Sequence, residues 1–421
     1  MQFENLNLTE PLQRALIKEG YKTPTPIQAE AIPHLLRGED LMGIAQTGTG
    51  KTAAFVLPVL QRMAEKQKVA APGVPRALVL APTRELAAQI DESFGTYGQF
   101  LRFRHAAVYG GVNQGPQVRA LSRGVDALVA TPGRLLDLME QGHINLKEIE
   151  FFVLDEADRM LDMGFADDLR KIVSALPAKR HSLFFAATMS KEIGDLAGRL
   201  LTRPVRIEVA PSATPVESVE QRIFFVDQNN KDALLLGLLQ QKFCKRVLVF
   251  TRTKRRADKV ASVLKKNRIR ANAIHGDKTQ NQRTQALNGF KSGRSQVLVA
   301  TDIAARGIDV EDISHVINYD LPNEAESYVH RIGRTGRAGA AGTAYSFCAA
   351  EERSFLRDIE RLTRTKIEEM DHRYHSERAK NAVGAAAKPA PKRSRRVPRN
   401  ARQEGARRSG PRKSRHPAVR R

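Results

Sequence analysis

The run Ala45-Gln46-Thr47-Gly48-Thr49-Gly50-Lys51-Thr52 follows the short apolar segment Leu41-Met42-Gly43-Ile44. A glycine-bearing loop between a strand and a helix turns backbone N–H groups toward phosphate oxygens, and the helix dipole adds positive potential there. Lys51 is then placed to reach β- and γ-phosphates, and the Thr52 hydroxyl to hold a magnesium ion. Ala45 stands where the common loop pattern has glycine. A second pair, Asp155-Glu156, directly follows Phe151-Phe152-Val153-Leu154. A carboxylate at a strand end beside phosphates suits a magnesium site, which makes Asp155 the metal-side partner of Thr52. Glu156 is positioned to orient or deprotonate an attacking water. Two adjacent acids also occur in solvated turns, but a turn does not explain their place behind a buried apolar run. The second half has no phosphate loop. It offers His330-Arg331-Ile332-Gly333-Arg334-Thr335-Gly336-Arg337. Arg334 and Arg337, presented by one domain to a nucleotide on another, would act as fingers on the transferred phosphoryl group, an effect of roughly 10³–10⁵ in rate. Taken alone, the same run is a plain basic loop.

Such residues need sheets to hold them. Short apolar runs flanked by helical patterns read as buried parallel strands, and in such sheets chemistry gathers at the carboxyl ends of the strands. Strands are expected near 41–45, 77–81, 105–109, 126–130, 151–154 and 182–186, then near 222–226, 246–250, 271–274, 296–300, 314–318 and 343–348. A last helix is expected over about Ala350 to Leu362. The alternation predicts an α/β protein of two tandem doubly wound parallel-sheet domains. The expected boundaries are 1–208 for the first domain, 209–218 for a small, polar, Pro-bearing linker, 219–370 for the second domain and 371–421 for a tail. The halves share a layout but no obvious sequence repeat.

At 421 residues the chain has ample length for two cores. It carries 69 Lys+Arg against 46 Asp+Glu, a formal charge of +23. From Ser376 onward, 16 basic residues face 2 acidic ones, so this short stretch holds +14 of that charge. The stretch has almost no large apolar residues to offset ordering entropy and is expected to be disordered. The excess points to a polyanion partner, nucleic acid before membrane. Two cysteines, Cys244 and Cys348, exclude a disulfide framework and show no metal-ligand spacing. The first residues have neither a basic nor an apolar leader segment. No apolar run approaches the roughly 18 residues that span a bilayer. A cytoplasmic protein with no membrane partner is expected.

Taken together these residues resemble the DEAD-box ATP-dependent RNA helicases, built from two RecA-like domains. The resemblance runs from residue 3 to about 365, with the motifs in order. Asp155-Glu156-Ala157-Asp158-Arg159-Met160-Leu161-Asp162-Met163-Gly164-Phe165 looks most like the bacterial RhlE-type branch. The resemblance implies roles that spacing does not give. Gln28, in the run from Gly20 to Gln28, would bond the adenine edge of ATP, and Tyr21 would stack on its face. Phe3 stands where the family carries an isolated aromatic, though core packing explains it as well. RNA contacts are implied for Pro82, Thr83, Arg84, Gly110, Gly111, Thr131, Gly133 and Arg134, and in the second domain for Arg252, Thr301 and the Gln280 to Arg283 segment, with Arg283 the contact residue. These groups suit phosphate and sugar rather than bases. Asp309 would reach the ATP ribose, and His330 would couple the magnesium-side carboxylates to the RNA-bound state. One motif departs: Ala186-Ala187-Thr188 stands where the family usually has Ser-Ala-Thr.

The expected activity is RNA-stimulated hydrolysis of ATP with magnesium, coupled to local unwinding of short duplexes or remodelling of a ribosomal or messenger ribonucleoprotein. An ATP-gated RNA clamp or annealing chaperone is the rival that the basic tail and Ala186 favour. A small-molecule P-loop kinase is disfavoured by a second domain with arginine fingers and no substrate-pocket motif.

Overall fold

The computed structural model describes residues 2–45, 48–66, 68–209, 219–241, 244–305, 310, 313–336 and 342–387. Gln46, Thr47, Asp309, Arg337, residues 210–218 and residues 388–421 lie outside the described residues.

The first half folds as seven parallel strands: β1 (Leu41–Ile44), β2 (Ala77–Leu80), β3 (His105–Val108), β4 (Ala127–Ala130), β5 (Phe151–Leu154), β6 (His181–Ala186) and β7 (Val205–Glu208). Their spatial order is β3-β4-β2-β5-β6-β1-β7. The second half has β8 (Val219–Phe225), β9 (Val247–Phe250), β10 (Ala271–Ile274), β11 (Val297–Ala300), β12 (His315–Asn318), β13 (Gly342–Cys348) and β14 (Glu368–Glu369), ordered β10-β11-β9-β12-β13-β8-β14. Position by position the second order is the first repeated. The central strands are continuous apolar runs because helices cover both faces, leaving no polar side. Two apolar clusters, one on each face of the first sheet, hold it between helix layers. The second sheet is enclosed in the same way.

Two strands escaped the sequence reading. Val205-Arg206-Ile207-Glu208 alternates apolar and polar because β7 is an edge strand with one buried side chain, Ile207. β14 is two exposed glutamates joined to β8. The expected boundary at 370 also differs from the structure. His375 bridges Val226, the Ser376 N–H donates to Phe225 O at 2.9 Å, and Ser376 Oγ donates to Asp227 at 3.0 Å. Ala379, Ala382 and Ala387 are buried. Residues 371–387 therefore form a strap on the second domain. Small alanines and backbone bonds fill its groove, so large apolar residues are not required. Both cysteines are buried free thiols, and burial pushes Cys244 up to about 11. Among the described residues no helix is long and apolar enough to cross a membrane.

Candidate active site

The phosphate loop leaves β1 with the Ala45 N–H bonded to Ala186 O on β6 at 3.0 Å. The helix Lys51–Glu65 begins at Gly50, whose φ is +92°. A side chain there would also collide with the Gln28 amide, so glycine is required on both counts. Lys51 is buried and donates from Nζ to Ala45 O at 2.7 Å, which folds its ammonium over the mouth of the loop. Gln28 accepts from the Thr25 N–H at 2.9 Å and donates to Gly50 O at 3.0 Å. It thereby pins the start of its own helix, Pro26–Arg37, to the phosphate loop. Tyr21 is half exposed and packs edge-on to Phe3 and against Tyr97. Phe3 is itself buried.

Asp155 follows β5, only 2% exposed. Burial pushes its carboxyl up to about 6, against the pull of Lys51. Glu156 is the N-cap of the helix Ala157–Asp162 and holds left-handed backbone, φ +52°. A non-glycine residue there is strained, and strain of this kind clusters at functional positions. Burial works against its charge, but Arg159, Lys51 and Arg334 outweigh it and hold Glu156 below the usual carboxylate range. Arg159 also bonds the Glu156 carboxylate directly. Arg334 belongs to the second domain, so a cation of that domain acts on the charge of the first domain's carboxylate. His330 and Arg334 share a small cavity with Asp302 and Arg331. Thr52, partly exposed beside Lys51, and Asp155 are oxygen donors of the hard kind that magnesium prefers. A buried carboxylate with raised pKa is one that a cation would relieve, so these residues fit the ion.

The residues implied in RNA contact gather on the carboxyl ends of both sheets. Thr83 caps the helix Arg84–Tyr97, after β2 and the buried Pro82. Gly111 has φ +76°, and a side chain there would strike the Arg84 guanidinium. Gly110 lies beside the same group. Thr131 precedes the helix Pro132–Glu140, which carries Gly133 facing open space and Arg134. Arg134 bonds Gln117 at 3.3 Å and Asp137 at 3.3 Å. Thr301 follows β11 and Arg252 follows β9. The guanidinium of Arg84 has its pKa lowered by burial and by the nearby Arg283 and Arg134. Three arginines crowded at one seam repel one another, and a run of phosphates would relieve that repulsion.

Arg283 itself has a protein partner across the cleft. It pairs with Glu85 of the first domain at 2.9 Å, and Gln280 bonds Glu85 at 3.2 Å and Arg84 at 3.4 Å. The segment that the resemblance gave to RNA is also a contact between domains. Glu85 and Asp302 fall in segments that the resemblance gives to RNA, and Asp158 in the acidic motif, but the sequence reading gave none of the three a partner of its own. Asp158 accepts from the N–H groups of Ala187 and Thr188 at 3.0 and 2.9 Å and from the Thr188 hydroxyl at 3.0 Å. Asp302 holds the buried Arg331 through two bonds, at 2.5 and 2.8 Å, and so ties the short helix Asp302–Ala305 after β11 to the helix Ala325–Ile332 that precedes Arg334. All three lie inside motifs already noticed. What sequence could not supply was the identity of the partner.

The fold and site define a two-domain P-loop nucleoside triphosphatase with its phosphate machinery on one sheet and its arginines on the other. The DEAD/DEAH box helicase family matches residues 25–196, and the helicase conserved C-terminal domain matches residues 230–339. The chain is 44% identical over 361 residues to DEAD-box ATP-dependent RNA helicase 20 of Oryza sativa, covering 85% of this chain and 73% of that one. It is 44% identical to DEAD-box ATP-dependent RNA helicase CshA of Bacillus subtilis, covering 87% and 74%. It is also 45% identical to helicase 30 of Arabidopsis thaliana, of which it spans 61%. The chain belongs to the DEAD-box ATP-dependent RNA helicases. Among solved structures it resembles S. cerevisiae Dbp5 bound to RNA and ADP BeF3, with TM-score 0.76, 31% identity and coverage of 87% and 94%. It also resembles a DEAD box protein of Methanococcus jannaschii, with TM-score 0.51, 39% identity and coverage of 88% and 99%.

Proposed function

We propose that this protein uses ATP hydrolysis to open short RNA duplexes locally or to remodel RNA–protein complexes. The observation that carries the reading is Arg334 of the second domain acting on Glu156 of the first, with Glu85 joined to Arg283 across the same cleft. The higher structural similarity belongs to the RNA- and nucleotide-bound Dbp5, although its sequence is the more distant of the two. That supports an arrangement suited to holding both ligands together.

In this reading residues 45–52 and Lys51 cradle the phosphates of ATP. Magnesium, held by Thr52 and Asp155, would neutralise charge on the phosphates. Glu156 orients the attacking water, Arg334 and Arg337 meet the charge developing on the transferred phosphoryl group, and His330 couples this site to RNA. Asp309 reaches the ribose, while Gln28 and Tyr21 select the adenine. RNA lies across both sheets on backbone contacts, so binding is sequence-independent. The crowded arginines favour a bent single strand that a duplex does not match. The residues from 388 on add charge without aromatic stacking surfaces and serve as a tether for RNA. The substrate is a ribosomal or messenger ribonucleoprotein in the cytoplasm. On the residues from Asp155 to Phe165, we place the chain near the bacterial RhlE-like branch.

A strand-displacement assay on a short RNA duplex tests the reading. ATP should release the strand in repeated turnovers, and a non-hydrolysable analogue should support at most one event per enzyme. Annealing without displacement, or equal action with both nucleotides, would make the protein a clamp or chaperone.

A further inference from the structure

The repeated strand order gives every group on the first sheet a topological counterpart on the second. Lys51 is the first residue of the helix that follows β1. The strand at the same place in the second sheet is β8, and the first residue of the helix after it, Lys231–Leu239, is again a lysine. The connecting run Val226-Asp227-Gln228-Asn229-Asn230 has no glycine, so it cannot form a phosphate-binding nest of the first domain's kind. Its Asp227 is instead bonded by Ser376 of the strap.

Lys231 is 0% exposed. Its Nζ donates to Glu352 Oε2 at 2.6 Å and to Tyr319 O at 2.7 Å, and lies 3.5 Å from Asp320 Oδ1. Glu352 is equally buried, and its other oxygen accepts from Arg252 Nη2 at 2.8 Å. Asp320 accepts from the Arg252 backbone N–H at 3.1 Å. Two cations and two carboxylates thus close on one another beneath the loop that carries Arg252, whose side chain alone of the four reaches solvent appreciably. A fully buried ammonium persists only when it is paired and hydrogen-bonded. Here the protein's own carboxylates stand where, on the first sheet, phosphates would answer the lysine.

We propose that Lys231 is a positioning residue for RNA: the counterpart of the nucleotide-site lysine, satisfied internally by Glu352, it holds that carboxylate so that Glu352 fixes the Arg252 guanidinium toward the RNA backbone. The inference rests on the reading that Arg252 contacts RNA, and one experiment separates the two. RNA half-saturation of the ATPase is measured for wild type, Arg252→Ala, Lys231→Met and the double variant. Arg252→Ala should raise it about tenfold, the loss of one charge-assisted contact. Lys231→Met should raise it about fivefold when Arg252 is present, and less than about twofold when it is added to Arg252→Ala, with the RNA-saturated rate moving less than the half-saturation in both. No effect of Arg252→Ala overturns the contact reading. An effect of Arg252→Ala together with the same Lys231→Met factor in both backgrounds overturns the positioning role and leaves Lys231 a general stabiliser. If Lys231→Met does not fold, Lys231→Met/Glu352→Gln removes buried charge of both signs and is carried through the same comparison, with the same outcomes deciding.

Discussion

Two sheets with one strand order do opposite things with their charges. On the first, Lys51, Asp155 and Glu156 sit at the carboxyl edge with only part of their charge answered by the fold: the lysine leans on a backbone carbonyl, Glu156 is paired with Arg159, and burial holds the aspartate's pKa up. On the second, the equivalent lysine is paired within the fold, Arg331 is pinned by Asp302, and Arg334 acts on the charge of Glu156 in the other domain. A site built to bind leaves its charges for the ligand to satisfy, whereas a site built to present arginines satisfies its own. Topology therefore does not assign the nucleotide to one domain. The glycine loop and the strand-end acids do.

Breaking the second sheet's contribution has the largest expected effect. Arg334→Ala should lower RNA-stimulated ATPase by roughly 10³–10⁵ while ATP still binds. Rates within tenfold of wild type would mean that the second sheet does not complete the site.

The first sheet's buried Asp155 gives a pH signature. A raised pKa means that the proton competes at Asp155 up to about pH 6. Above that pH the carboxylate is charged and free to take magnesium. Below it, the magnesium-dependent part of nucleotide affinity should fall by up to about tenfold per unit. Asp155→Asn should flatten the profile, and a wild-type profile already flat from pH 7 to 5 would show that Asp155 is not the metal-side group.

The smallest effect concerns Ala186. It is fully buried at the end of β6, and its carbonyl holds the start of the phosphate loop. Asp158 already collects three donors from Ala187 and Thr188, so the link that the family's serine would strengthen is largely present. Ala186→Ser should raise duplex unwinding about threefold, the lower end for one added hydrogen bond, and ATPase less. If both rates move together, or neither moves, Ala186 is a neutral replacement.

Sequence revealed the groups that act through type and spacing and missed those that act through a partner. The buried strands and the phosphate loop announce themselves as apolar runs and glycines. β7 was missed because an edge strand buries only one side. The strap past 370 was missed because buried alanines leave no hydrophobic signature. Arg283 was given to RNA by the family resemblance alone, and only the fold brings Glu85 within 2.9 Å of it. Lys231 carried no motif at all. Its meaning comes from lying after β8 as Lys51 lies after β1, an equivalence that exists in the sheet order and not in any run of residues.

The most direct test of RNA-gated hydrolysis at the first sheet is Glu156→Gln, assayed for binding and turnover together. The amide keeps the size of the side chain but cannot take a proton from water. ATP and RNA affinities should stay within about threefold of wild type, while steady-state ATPase at saturating RNA falls by roughly 10²–10⁴, the usual contribution of a general base. Near-normal turnover with both ligands bound would contradict the account.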